Sequence, residues 1–137
     1  MAGEEHRTRF IEHARRPLLL MDFSNLWRVD QMLSAIEDAR RFVAGQPKVQ
    51  NLLVLVDVAE SAIDDRILTK LKELAVHDAP WVLASAVVGM RGTQKVVHRL
   101  VSTFSGRQLA AFERREEAKD WLVAQRSPPA SVPEPKR

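Results

Sequence analysis

Residues 87–95, VVGMRGTQK, join an apolar run to two glycines, an arginine, a threonine and a lysine. These residue types hold phosphate where a strand turns into a helix. The spacing argues against the known phosphate loops. A P-loop needs a lysine directly after its second glycine, whereas Thr93 and Gln94 separate Gly92 from Lys95. The three-glycine dinucleotide fingerprint is missing after the first strand, and the G-x-x-G loop of KH domains joins two helices, while this one follows a strand. What remains is a strand-to-helix turn with Arg91 and Lys95 beside its backbone N–H groups, a generic anion site. The simpler reading, in which Gly89 and Gly92 only permit the turn, is the stronger one.

The second set is acidic. Asp22, Asp57, Asp64 and Asp65 fall near the carboxyl ends of the first two long apolar runs, the edge at which open α/β sheets bind ligands. A metal site or acid–base work there would need ligand spacing that is absent, and Asp22-Phe23-Ser24-Asn25 reads equally as an Asx or Ser turn. No metal and no cofactor is implied. The four histidines (6, 13, 77, 98) have no histidine partner at helical spacing, and the serines lack the G-x-S-x-G elbow of a hydrolase. Ser105-Gly106-Arg107 reads as a helix stop. The chain is expected to be no enzyme.

The elements that must position these residues follow from hydrophobic period. TRFIEHA (8–14) and RRPLLLMDFS (15–24), linked by ARRP, suggest a hairpin. Val29, Met32, Leu33, Ile36, Ala39 and Val43 mark a helix that GQP ends, and NLLVLVDV (51–58) is a central strand, apolar on both faces. Asp64 or Asp65 caps a second helix with Ile67, Leu68, Leu71, Leu74 and Ala75 inward, closed by Pro80. WVLASAVVG (81–89) is the next strand. A third helix capped by Thr93 buries Val96, Val97, Leu100, Val101 and Phe104, a short strand GRQLAAFE (106–113) follows, and REEAKDWLVAQR (115–126) closes the fold on Ala118, Trp121 and Leu122. The expected class is α/β: a four- to five-stranded, mostly parallel sheet with an N-terminal antiparallel hairpin strand and about four helices. Residues 1–7 form a flexible N-terminus, 8–126 the domain, and 127–137, with four of the seven prolines, a disordered tail.

Composition bounds the function classes. The chain has 137 residues, 45% of them hydrophobic, enough for one domain with a real core. Without cysteine it has no disulfide, thiolate zinc site or cysteine nucleophile, which fits a reducing compartment. No run approaches the roughly 18 apolar residues of a membrane span, and MAGEEHRTRF lacks a signal-peptide core, so a cytoplasmic location is expected. Twenty-one basic residues stand against 18 acidic ones, interspersed, with 6% aromatics and no tyrosine. That footprint disfavours nucleic acid as a partner.

Taken in order, LLLMDFSNL, LLVLVDV, ASAVVGMRGTQKVV, FSGR and FERREEAKDWL resemble the small bacterial STAS-like proteins of the sporulation anti-sigma-factor-antagonist superfamily, which share a fold with the lipid-carrying CRAL-TRIO domains. The closing F-x-x-x-E-E-A-x-x-W-L is the most distinctive part. The resemblance implies a STAS-like fold and a regulatory role played through protein contacts. Family regulators switch on a phosphorylated serine capping the helix after the central strand. Here DVAESAIDDRIL places Asp64-Asp65-Arg66 where the family has Asp-Ser-Ser, and neither Ser61 nor Thr69 matches that position. The usual switch is therefore expected to be missing, with a permanent carboxylate at the cap. The expected function is a non-enzymatic regulatory or protein-interaction domain, its surface formed by Asp22, Asp57, Ser61, Asp64, Asp65, Gly89, Arg91, Gly92, Thr93 and Lys95. The alternative is a carrier of a small anionic or lipid-like ligand at the strand carboxyl ends. The partner is an unidentified protein, and the resemblance also admits a homodimer, for which Trp27 or Trp81 would be contacts unless they are core.

Overall fold

The computed structural model describes residues 6–90 and 108–126. Two strands, β1 (Thr8–His13) and β2 (Arg16–Asp22), form the hairpin expected from TRFIEHA and RRPLLLM, in the antiparallel register Thr8↔Met21 to His13↔Arg16. Its two-residue turn places Ala14 at φ 52° and Arg15 at φ 69°, both left-handed. Helix α1 (Val29–Ala44), strand β3 (Leu52–Asp57), helix α2 (Asp65–Asp78) and strand β4 (Val82–Val88) follow, then β5 (Gln108–Phe112) and α3 (Arg115–Val123). The sheet order is β1-β2-β3-β4-β5, with β2 to β5 mutually parallel.

Side chains of successive strand residues point to opposite faces, and the sheet uses this to build two cores. Leu19, Met21, Val54 and Val87 meet α1 (Met32, Ile36, Ala39, Val43) and α2 (Ile67, Leu68, Leu71, Leu74) on one face. Leu18, Leu20, Leu53, Leu55, Ala86 and Val88 meet Ala118 and Leu122 of α3 on the other. The continuous apolar runs of β2, β3 and β4 are thus explained: each is covered on both faces.

Three α-helices stand among the described residues where about four are expected; the helix expected from Thr93 lies outside them, as do the N-terminal residues 1–5 and the tail from 127. Two boundaries differ for physical reasons. Trp81 does not open β4 but closes a single 3-10 turn, Ala79–Trp81, because Pro80 can sit in the first positions of such a turn but cannot continue α2. There the indole is buried and donates to the Gln46 carbonyl at 3.0 Å. Helix α3 ends at Val123, where the last carbonyls find other donors: Arg16 Nη1 bonds the Val123 and Gln125 oxygens, each at 2.7 Å.

Candidate functional site

Strands β2 and β3 end side by side, Asp22 opposite Asp57, and the pleat turns both carboxylates to the α3 face. Each first organises its own loop. Asp22 Oδ1 accepts from the Ser24 N–H at 3.1 Å and from the Ser24 hydroxyl, and Asp57 Oδ1 accepts from the Ala59 N–H at 2.9 Å. These are Asx turns, which the D-F-S-N stretch allowed. The remaining charge is taken by Arg115 at the start of α3, with Nε 2.6 Å from Asp57 Oδ2 and Nη2 3.5 Å from Asp22 Oδ1. Arg7 adds bonds to the Asp22 and Ser24 carbonyls at 3.0 and 2.9 Å.

Partial burial pushes the Asp22 carboxyl up, but the Ser24 bonds together with Arg115 and Arg7 win and hold it below the ordinary carboxylate value. A carboxylate so stabilised is a poor proton acceptor near neutral pH. Through Arg115 the pair ties the ends of β2 and β3 to the start of α3. Arg115, the cation that joins them, was not singled out by sequence reading; it stands 58 positions from Asp57.

Beyond the strands the two neighbouring loops are laced together. The Ser61 hydroxyl donates to the Phe23 carbonyl at 2.5 Å and accepts from the Leu26 N–H at 3.1 Å. Backbone bonds from Asn25 N to Ala59 O and from Ala62 N to Leu26 O, both 2.9 Å, continue the tie. Asn25 (φ 59°) and Glu60 (φ 56°) take the left-handed conformation that lets both loops bend back. On this clamped loop sits Trp27, 64% exposed. Its neighbour Arg28 bonds Asp30 rather than covering the indole.

Of the two aspartates expected to cap α2, Asp64 does so, accepting from the Ile67 N–H at 2.9 Å, and Asp65 opens the first turn of the helix. Gly89 turns the chain out of β4 at φ 83°, and a Cβ there would stand 2.6–2.8 Å from Ala59 atoms. Only glycine fits that approach. The structure thus brings Ser61, Asp64, Asp65 and Gly89 to the same carboxyl edge as Asp22 and Asp57, with the last two turned to the α3 face. Arg91, Gly92, Thr93 and Lys95 lie outside the described residues. Among the described residues no group of three metal-ligating side chains occurs, and no helix is long and apolar enough to cross a membrane.

On the opposite face, between α2 and the sheet, lies a small apolar recess of about 40 Å³ lined by Val56, Leu71, Leu74 and Val87, with two polar groups, Asp78 and Ser85. Asp78 is 4% exposed, and its Oδ1 lies 2.6 Å from His77 Nδ1. The His77 ring stacks on Trp81 with centroids 5.3 Å apart, and Lys48 Nζ stands 4.9 Å from the indole centroid on that same ring. Burial pushes the Asp78 carboxyl up to about 6, against the lowering influence of the His77 bond and of Arg40. Sequence reading missed both polar groups. The available signals were a lone serine inside an apolar strand and an acid in the last turn of a helix, where the dipole disfavours it.

No family model and no curated protein matches the sequence. Among solved structures, an uncharacterised DUF3478-family protein from Shewanella loihica with a SpoIIAA-like fold superposes with a TM-score of 0.63 at 16% identity, covering 89% of this chain and 98% of that one. The likeness shows the fold: the chain has the STAS-like α/β architecture that the sequence resemblance implied.

Proposed function

We propose that this STAS-like domain is a non-enzymatic protein-interaction module that contacts its partner through the carboxyl edge of the sheet, with Trp27 as the anchor. The single observation that carries this reading is the 64% exposure of Trp27 on a loop whose backbone is clamped by Ser61. A large aromatic on a hydrogen-bonded loop costs little backbone entropy on binding and buries much apolar area, and tryptophan is enriched at binding hot spots. The acidic groups beside it support the reading from the negative side. Asp22 and Asp57 bond Arg115 and their own turns, and Asp64 its cap, so each already has a structural role. With Asp64-Asp65 in place of the family's serine pair, the contact is constitutive at that helix end.

Affinity capture from source-cell extract tests this with three baits: the native chain, Trp27→Ala and Val49→Ala. Val49 is 55% exposed on the loop before β3 and serves as the apolar control. A protein retained by the native and Val49→Ala baits and reduced at least about tenfold by Trp27→Ala is the expected result. Equal retention by all three baits would remove Trp27 from the contact.

A further inference from the structure

Among the described residues the first strand, at one end of the sheet, has no neighbour on its outer side. β1 runs from Thr8 to His13 with no proline and no break in register, so it offers an unbroken edge. Its polarity can be assigned. The Arg7 carbonyl accepts from the Asp22 N–H at 2.8 Å, so residues 7, 9, 11 and 13 turn their backbone groups to β2, and Thr8, Phe10 and Glu12 turn theirs outward. The same three side chains lie on the α1 face, where Phe10, 43% exposed, stands 5.8 Å from the Phe42 ring.

We infer that β1 pairs antiparallel with β1 of a second copy about a twofold axis at Phe10, joining two five-stranded sheets into one of ten strands. The register is forced. Outward-facing residues can pair only with outward-facing residues, and the register that opposes Phe10 to itself sets Thr8 against Glu12 and Glu12 against Thr8, using all three. A shift by two residues in one direction brings Ala14, in its left-handed turn, into the ladder; a shift in the other direction leaves β1 for His6.

One complementarity supports this occupant: at the axis the exposed Phe10 rings meet, each flanked by its own Phe42, so the same side chain supplies the apolar contact on both copies.

Phe10 and Trp27 stand on different elements, so Phe10→Arg and Trp27→Ala test the two contacts separately, although the Trp27 loop borders a recess beside Thr8 through Asn25 and Leu26. The chain contains no cysteine, which makes the register directly readable. Phe10→Cys sets its thiol against its own copy at a Cα separation of about 5.5 Å, within disulfide range, whereas Glu12→Cys sets its thiol about 13 Å from its copy along the strand. The expected results are a native mass twice the 15.5 kDa of one chain by analytical ultracentrifugation, covalent dimer on oxidation of Phe10→Cys but not of Glu12→Cys, and loss of the dimer mass in Phe10→Arg. Far-UV circular dichroism of Phe10→Arg checks that it folds, and the two cysteine variants read the register independently of it. A native chain that sediments as a monomer up to millimolar concentration, or oxidation that joins Glu12→Cys as readily as Phe10→Cys, overturns the proposal.

Discussion

Asp78 shows how much a single side chain can be at odds with its place. It lies in the last turn of α2, where the carbonyl end of the helix repels a carboxylate, and it is 4% exposed. Burial raises its value from 3.8 to about 6, with the His77 bond and Arg40 only partly opposing. The folded state thus keeps a proton that the unfolded chain releases between about pH 4 and about pH 6, so stability falls as pH rises through that window and the deficit persists above it. Asp78→Asn is expected to raise the melting temperature at neutral pH and to flatten the slope across the window, read by thermal melts at a series of pH values. An unchanged slope would assign the titration to another group. At this scale the sequence was legible where the signal is local: the Asp64 cap and the Gly89 turn were both readable from a few neighbouring residues. Asp78, Ser85 and Arg115 were not, because burial and a partner 58 positions away are properties of the assembled sheet.

Among the elements, the β1–β2 hairpin holds the plainest conflict between local preference and fold. Ala14 at φ 52° and Arg15 at φ 69° are the two left-handed positions of a type I′ turn, which favours Asn-Gly. The turn persists because six paired residues on each side and the core beneath β2 fix its register. Replacing Ala14-Arg15 by Asn-Gly is expected to stabilise the chain by about 1 kcal/mol, seen as a higher urea midpoint with an unchanged slope. A midpoint that does not move would mean the strain is already relaxed. The hairpin itself was readable from the two apolar runs and their short link, as were α1 and α2 from their 3.6-residue stripes. The 3-10 turn at Ala79–Trp81 was not, since an apolar tryptophan before an apolar strand looks like its first residue until the Gln46 carbonyl is seen to receive its N–H.

In the whole molecule the two faces of the sheet are unequally provided among the described residues: α1 and α2 share one, and α3 covers the other with Ala118 and Leu122, both fully buried. So short a helix concentrates its anchoring in few side chains. Leu122→Ala is expected to cost about 2–5 kcal/mol, a large part of the stability of an ordinary domain, measured by denaturant unfolding. A loss below about 1 kcal/mol would show that the face is held by the ion pairs of Arg115 instead. The strands lie in space in the order in which they occur in the chain. A ribosome therefore delivers each strand after the neighbour it must join, and the sheet can grow by accretion from the hairpin without waiting for distant sequence. Among the described residues the second face waits longest: Arg115 emerges last of the groups that tie Asp22 and Asp57, and Ala118 and Leu122, which cover that face's leucines, leave the ribosome after every strand they pack on.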